Sequence, residues 1–132
     1  MGYLTDGLTF RTLRSACKAR AKRWLKKNGE PLDPWTPSEW LEALIGELGE
    51  FANLHKKVRR GDFTLEEALP ELRKELADVQ TYLTILADQF DIDLGAATIE
   101  KFNEVSVRIG NPVRIRADGS DWRLAQDPTC KH

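Results

Sequence analysis

The chain has 132 residues, enough for one domain with a single hydrophobic core, and hydrophobic and charged fractions of 41% and 31% are ordinary for a soluble globular protein. No apolar run approaches the length of a membrane span, and the N-terminus lacks the basic and apolar segments of a signal peptide, so we expect no membrane contact. Two cysteines are too few for a disulfide framework and indicate a reducing, cytoplasmic location.

The formal net charge of −1 conceals a segregation of charge along the chain. Residues 1–36 contain eight basic and three acidic residues, a charge of +5, whereas residues 37–110 contain eight basic and fifteen acidic residues, a charge of −7. An acidic centre disfavours nucleic-acid binding and suits a site that binds cations.

The first predicted element is a basic helix over residues 8–27, which has a rough apolar side and is otherwise rich in lysine and arginine. Asn28 and Gly29 are typical of a helix end, and Pro31 prevents the helix from resuming. Two interpretations of the basic surface remain open. It is either a solvated face, or a surface that contacts phosphates or the acidic centre of a neighbouring subunit.

A loop that contains two prolines leads to the second helix, predicted from Thr36 to about Arg60. Thr36, Pro37 and Glu39 have the order of a capping box with proline at the first helical position. Four of the five residues 56–60 are basic, which is more than the helix dipole requires. This excess of positive charge favours a polyanion such as a triphosphate as the target.

The third helix is predicted over about residues 70–90. Before it, Thr64 and Glu67 have the spacing of a second capping box, which opens a short helical turn. Pro70 then fits the first position of the third helix, where its missing N–H has no intrahelical partner to lose.

The fourth helix is predicted over about residues 94–109, with Asp93 as its N-terminal cap. The tail, residues 111–132, is polar, and within it residues 113–116 alternate as in a short extended segment. No segment calls for a parallel sheet. The predicted class is therefore all-α, in one domain over residues 1–132.

Two pairs of acids occupy positions where apolar residues are expected. In the second helix Glu47 falls inside the apolar stripe and Glu50 on its edge, and in the third helix Glu75 and Asp78 share an arc with apolar and aromatic residues. A carboxylate on a core-facing side costs free energy unless it is paired or binds a metal. Acids three residues apart can converge on one ion, and all-oxygen ligands favour Mg²⁺, Mn²⁺ or Ca²⁺.

The histidines argue against a di-iron site of the ferritin type, which uses Glu-x-x-His motifs. Neither His55 nor His132 follows a glutamate at that spacing, and His55 is better interpreted as a core-edge residue. In the fourth helix, Lys101, Glu104 and Arg108 form either an ordinary ion-pair ladder or, near a metal cluster, a surface that binds phosphates.

These features together resemble the motif of the MazG-like, all-α NTP pyrophosphatase superfamily. The resemblance rests on Glu47-x-x-Glu50, a gap of twenty-four residues, and Glu75-x-x-Asp78. It is strengthened by Arg59-Arg60-Gly61-Asp62 and by the segment 101–110, which contains a lysine, an asparagine and an arginine. The match covers about residues 36–110, the expected core, and leaves the basic helix 8–27 and the tail 111–132 outside.

The resemblance implies a four-helix-bundle-type architecture and a hydrolase that uses Mg²⁺, with Mn²⁺ as a substitute, to convert a nucleoside triphosphate to the monophosphate and pyrophosphate. Such an enzyme serves nucleotide-pool control or house-cleaning. The resemblance assigns metal binding and catalysis to the four acids of the motif, which are Glu47, Glu50, Glu75 and Asp78. Substrate binding falls to basic, polar and aromatic residues: Lys101, Asn103, Arg108, Arg59, Arg60 and Trp40. Apart from the resemblance, the ring of Trp40 or Trp35 is a candidate to stack on the base, and core packing is the favoured interpretation of Trp40.

A second class of function also fits the sequence, namely a non-catalytic helical module that binds a partner or nucleic acid through the basic first helix. It predicts salt-sensitive retention on DNA and no metal requirement. Such a module has no reason to place Glu75 and Asp78 among apolar side chains, which favours the enzyme. The apolar stripes are broader than one hairpin can cover, so we expect a homodimer or homotetramer in which two subunits complete each bundle.

Overall fold

The computed structural model describes residues 7–126, which form four α-helices and a two-stranded sheet. Tertiary contacts divide the chain after Asp91 into two compact units. The first unit contains α1 (Phe10–Ala21), α2 (Pro37–Arg59) and α3 (Leu65–Gln89). The second unit contains α4 (Leu94–Arg108), β1 (Val113–Ile115) and β2 (Trp122–Leu124).

The predicted class is confirmed in its coarse form, because most of the described chain is helical and only the short β1–β2 sheet departs from an all-α description. Over residues 7–126, no helix combines the length and the apolar character needed to cross a membrane.

The first helix, α1, is shorter than the predicted range 8–27. It begins at Phe10, after Thr9, whose side chain accepts a hydrogen bond from the Thr12 N–H at 3.0 Å. It ends at Ala21, well before Gly29 and Pro31, where the sequence predicts the end of the helix.

The segment after α1 forms a tight turn instead of the last turns of a helix. Leu25 pairs with Pro31 in an isolated antiparallel bridge, and the Leu32 N–H donates to the Trp24 carbonyl at 2.9 Å. Gly29 supplies the positive φ, 85°, that this turn needs. The backbone groups of the segment thus find partners across the turn, which removes the advantage of continuing the helix.

An antiparallel hairpin of α2 and α3 makes up most of the first unit. As predicted, α2 begins with a complete capping box. The Thr36 hydroxyl accepts from the Glu39 N–H, and the Glu39 carboxylate accepts from the Thr36 N–H at 2.7 Å. These two bonds satisfy backbone groups that the first helical turn leaves without partners.

The prediction that Pro70 separates a short turn from the third helix is wrong. A single helix, α3, runs from Leu65 through Pro70 to Gln89. The Thr64 hydroxyl accepts from the Glu67 N–H at 3.1 Å and so starts the helix before the proline is reached. Because Pro70 lies only in the second turn, its missing N–H removes a single bond near the helix start.

The core of the first unit is small. Its buried residues are Cys17, Trp40, Ala68, Leu72, Thr84 and Ala87. An ion pair holds α1 against α3, because Arg14 Nε lies 2.6 Å from Asp88 Oδ1 and Lys18 Nζ lies 3.5 Å from the same oxygen. Several large apolar side chains of the hairpin remain exposed: Leu41, Ile45, Leu48, Leu69, Leu76 and Leu83.

In the second unit, a small antiparallel sheet packs against α4. The Asp93 side chain caps α4, as predicted, by accepting from the Ala96 N–H at 3.0 Å. The predicted extended segment becomes β1, in which Ile115 pairs with Trp122 of β2. Asn103 fixes β1 to α4, because its amide donates to the Ile115 carbonyl at 2.9 Å and accepts from the Ile115 N–H at 2.8 Å.

Candidate functional site

Three carboxylates converge from facing positions of α2 and α3. We call Glu47, Glu75 and Asp78 the carboxylate cluster. Each contributes one oxygen, and these three oxygens lie within 4.8 Å of one another. Glu47 and Glu75 are half-buried at the seam between the two helices, while Asp78 is exposed. The structure therefore brings together three of the four acids that the sequence singles out.

The fourth acid, Glu50, lies at the edge of this group. It is exposed on α2, one turn after Glu47, and is not among the three converging carboxylates. Its side chain nevertheless contacts Glu75 closely enough to lower the pKa of Glu75. Glu50 is thus placed to join the cluster from the solvent side.

A hydrogen bond between two acids, burial and like charge together shift the pKa of one member of the cluster. The pKa of Glu75 is raised above that of an ordinary glutamate, first by a hydrogen bond shared with Glu47, then by burial and by the negative charges of Glu47 and Asp78. Among residues 7–126, no ion pair links a lysine or arginine to any of these acids. Within the described chain the cluster therefore carries a negative charge that no basic side chain neutralises.

This arrangement fits a divalent cation of the oxygen-binding kind. Carboxylate oxygens are the ligands that Mg²⁺ and Mn²⁺ prefer, and neither a thiol nor an imidazole belongs to the group. A bound cation would relieve the repulsion that raises the pKa of Glu75. Glu47, Glu75 and Asp78 are the residues that would hold it, with Glu50 beside them.

A row of aromatic rings extends from the cluster along the hairpin. The ring centroids of Trp40 and Tyr82 are 5.9 Å apart, and those of Trp40 and Trp35 are 4.6 Å apart. Burial raises the pKa of Tyr82, and the negative charges of Asp78 and Glu47 raise it further. Tyr82 therefore adjoins the cluster. The sequence did not lead us to predict Tyr82 as a site residue. Its position one turn after Asp78 nevertheless indicates that the two side chains lie on the same side of the helix.

Trp40, predicted to bind substrate, is only 6% exposed. Its ring lies between Trp35 and Tyr82 and belongs to the core of the first unit. Trp35, the other tryptophan named from the sequence, is 37% exposed and is therefore the more accessible ring.

The two predicted arginines at the end of α2, Arg59 and its C-cap Arg60, lie well away from the cluster along the helix. Arg59 is twelve residues after Glu47, which corresponds to about 18 Å along the axis. Arg60 is paired with Asp62, with Nη2 2.6 Å from Oδ2. Within the first unit these side chains are not brought together with the carboxylates. His55, predicted as a core-edge residue, is exposed and stacks on Phe51 with ring centroids 6.2 Å apart.

The remaining predicted substrate-binding residues belong to the second unit. Lys101 Nζ lies 2.6 Å from Glu104 Oε1, the pairing expected of an ion-pair ladder. Asn103 uses both ends of its amide on the backbone of Ile115. Arg108 is exposed at the end of α4. The contribution of these three residues to substrate binding stays a prediction from the sequence. His132 lies outside the described residues.

The fold and the site together define a mostly helical protein with a carboxylate cluster at the seam of a helical hairpin. No known family model matches the sequence. The chain is similar to the Gene 37 protein of Mycobacterium phage L5, with 40% identity over 68 residues, or 49% of this chain. The similarity spans 59% of the length of the phage protein.

Proposed function

We propose that the protein is a cytoplasmic nucleoside triphosphate pyrophosphohydrolase of the MazG-like, all-α type. It would use Mg²⁺, or Mn²⁺ in its place, to convert a ribo- or deoxyribonucleoside triphosphate to the monophosphate and pyrophosphate. The observation that carries the proposal is the convergence of Glu47, Glu75 and Asp78 within 4.8 Å. The resemblance of the sequence motif to this superfamily supports the same three acids together with Glu50.

The reaction needs charge neutralisation, since a triphosphate is a polyanion that water attacks slowly. Glu47, Glu75 and Asp78 supply the cation ligands, and Glu50 completes the acidic edge. The ion that these residues would hold would supply charge neutralisation for the phosphates and activation of water. One glutamate of the cluster orients the attacking water by accepting a hydrogen bond from it. Glu47 and Glu75 are half-buried at the seam, which holds these two carboxylates in place before the substrate binds.

Pyrophosphate release from purified protein tests the proposal. With Mg²⁺ and a panel of nucleoside triphosphates, we expect release with at least one substrate. Asp78→Asn and Glu50→Gln should each lower kcat by at least about 100-fold, because the first removes a charged ligand of the cation and the second removes a negative charge beside it. The matched control is Glu42→Gln, since Glu42 is an exposed acid of α2 on the side away from the cluster.

Two results would contradict the proposal at different levels. Pyrophosphate release that is unchanged in both variants would show that the carboxylate cluster is not the reaction site. No release from any triphosphate, with Mg²⁺ or with Mn²⁺, would exclude the reaction itself.

The alternative, a nucleic-acid-binding module that uses α1, has weaker support. Two cations of α1, Arg14 and Lys18, already contact Asp88 of α3. They would have to leave that carboxylate to bind a phosphate backbone. Retention on DNA that falls with salt and does not depend on Mg²⁺ would support this alternative.

The exposed apolar side chains of the hairpin support a homo-oligomer. On α2, Leu41 and Leu48 lie about 80–100° to one side of Trp40, and Glu50 lies about 80° to the other side. On α3, Leu76 and Asp78 are likewise on opposite sides of the seam. The apolar surface therefore faces away from the carboxylate cluster. A second copy that packs on it would form a dimer or tetramer and complete a bundle of four helices.

A further inference from the structure

The β1–β2 hairpin has two faces of different chemistry, because successive side chains of a strand point to opposite sides. One face is apolar and contains Val113, Ile115, Trp122 and Leu124. The opposite face contains three basic residues, which we call the arginine face: Arg114, Arg116 and Arg123. Arg116 follows the end of β1 and continues its ladder, since its N–H donates to the Asp121 carbonyl at 2.9 Å.

The register of the hairpin places two of these arginines directly opposite each other, because Arg114 pairs with Arg123. The ladder bond between Arg116 and Asp121 lies two residues further along each strand. The two arginines are therefore a hydrogen-bonded pair, with Cα atoms about 5.5 Å apart. Like charges directly opposite destabilise an antiparallel pair. An anion bound between the two guanidinium groups would remove this repulsion.

The acidic side chains of the hairpin are hydrogen-bonded locally. Asp118 Oδ1 accepts from the N–H and the hydroxyl of Ser120, at 3.0 and 2.7 Å. These bonds lower the pKa of Asp118, and the charge of Arg116 lowers it by a smaller amount. Asp121 accepts from the Trp122 N–H at 2.8 Å. Among residues 7–126 none of the three arginines forms an ion pair, so the arginine face keeps an excess of positive charge.

The guanidinium groups are accessible, and one of them is held in place. Arg116 and Arg123 are exposed, and within residues 7–126 their side chains form no hydrogen bond. Arg114 is half-buried, and its Nη1 donates to the Val113 carbonyl at 2.9 Å and to the Asn111 carbonyl. Because a guanidinium has several further N–H groups, Arg114 can still donate to an anion.

The layout of these charges favours an anion with repeated negative groups. Side chains two residues apart on a strand are about 6.8 Å apart, so the three guanidinium groups are spread over an open surface and do not converge on one point. A single small anion would contact one or two of them, whereas a chain of phosphates would contact all three. Arginine binds phosphate through two parallel hydrogen bonds, and two-stranded β-ribbons are among the elements that proteins place against nucleic acids.

We infer that the arginine face binds the phosphodiester backbone of a nucleic acid. The inference does not rest on the proposed pyrophosphohydrolase reaction, and it uses a segment outside the family resemblance. It also differs from the alternative function, which uses α1. The acidic residues 37–110, which disfavour nucleic-acid binding, do not include the hairpin.

Fluorescence anisotropy with labelled oligonucleotides tests this surface. The full chain, with a chelator present, is titrated into a single-stranded and a duplex oligonucleotide at about 50 mM salt. At least one of them should bind saturably, with a dissociation constant that rises with salt. The double variant Arg116→Gln/Arg123→Gln should raise the dissociation constant at least about tenfold and reduce the salt slope by about 2. Arg116→Lys/Arg123→Lys keeps both charges and should retain most of the slope.

Controls separate the arginine face from the other cations of the chain. Arg73→Gln removes an exposed positive charge of α3 and should bind as the wild type does. Lys22→Gln removes the exposed cation at the C-cap of α1 and should also leave the affinity unchanged. If the double variant loses its helical circular dichroism, Arg123→Gln alone gives a second test, with a salt slope lower by about 1.

Two results would overturn the inference whatever the pyrophosphate assay gives. One is the absence of saturable binding of either oligonucleotide, and the other is equal affinity in the wild type and the double variant. Binding that weakens in Lys22→Gln alone would assign the nucleic acid to α1 and would also contradict the inference. Pyrophosphate release should be the same in the double variant as in the wild type, so a failure of the proposed reaction is a separate result.

Discussion

At the scale of single residues, Glu75 links the stability of the fold to the ion that the site is proposed to bind. Its pKa is raised by the hydrogen bond shared with Glu47, by burial and by neighbouring negative charge. A carboxyl with a raised pKa in the folded state contributes stability below its unfolded pKa, about 4.3 for glutamate. That contribution is lost as pH rises through the folded pKa.

We therefore expect Glu75→Gln to be more stable than the wild type at neutral pH in the presence of a chelator. The stability difference should grow as pH rises above about 4.3. Saturating Mg²⁺ should raise the melting temperature of the wild type at neutral pH and that of Glu75→Gln much less. Thermal unfolding followed by circular dichroism across a pH series measures both effects, with Glu42→Gln as the control. A pH-independent difference between Glu75→Gln and wild type would contradict this account.

The sequence predicts the acidic residues of the site better than its aromatic ones, for a physical reason. A carboxylate such as Glu47 inside an apolar stripe conflicts with its local pattern, so it is conspicuous without any structure. Tyr82 fits an ordinary apolar pattern, and only the packing of α2 against α3 shows that it lies beside the cluster.

At the scale of elements, the structure gives Asn103 a role within the fold of the second unit. Its side chain makes two hydrogen bonds to the backbone of Ile115. Loss of both hydrogen bonds leaves the N–H and the carbonyl of Ile115 without their partner at a partly buried position. Asn103→Ala should therefore destabilise the contact between α4 and β1 by about 1–3 kcal/mol.

Hydrogen exchange measures this effect locally. The amide of Ile115 should exchange faster in Asn103→Ala, while the amides of α2 should be unchanged. Asn53→Ala, a change at an exposed position of α2, is the matched control. Unchanged exchange at Ile115 would contradict the structural role and favour the substrate contact that the sequence suggests for Asn103.

Three of the helix caps were predictable because their determinants are local. The caps Thr36, Thr64 and Asp93 each bond to an N–H three residues away, as their spacing indicates. The end of α1 was not predictable in this way, since it depends on the pairing of Leu25 with Pro31. The strand β2 also depends on a partner distant in sequence.

At the scale of the whole molecule, the hairpin exposes leucines at a spacing suited to helix pairing. Leu69, Leu76 and Leu83 follow one another at intervals of seven residues on α3 and are all exposed. They lie on the same side of the seam as Leu41 and Leu48 of α2. This surface is the expected contact between two copies.

We expect light scattering to give the mass of a dimer or tetramer for the wild type. Leu76→Glu should raise the dissociation constant at least about 30-fold, because a charge would be buried without a partner. Lys74→Ala, two residues away on the other side of α3, should leave the mass unchanged. A monomeric wild type would exclude this assembly.

The small core of the first unit has a further consequence for work with the protein. None of its described side chains is completely buried, and association of two copies would remove part of the exposed apolar surface from water. Folding and assembly would then be linked by mass action. Both the melting temperature and any pyrophosphohydrolase activity per milligram should rise with protein concentration, and a dilute assay would underestimate the proposed activity.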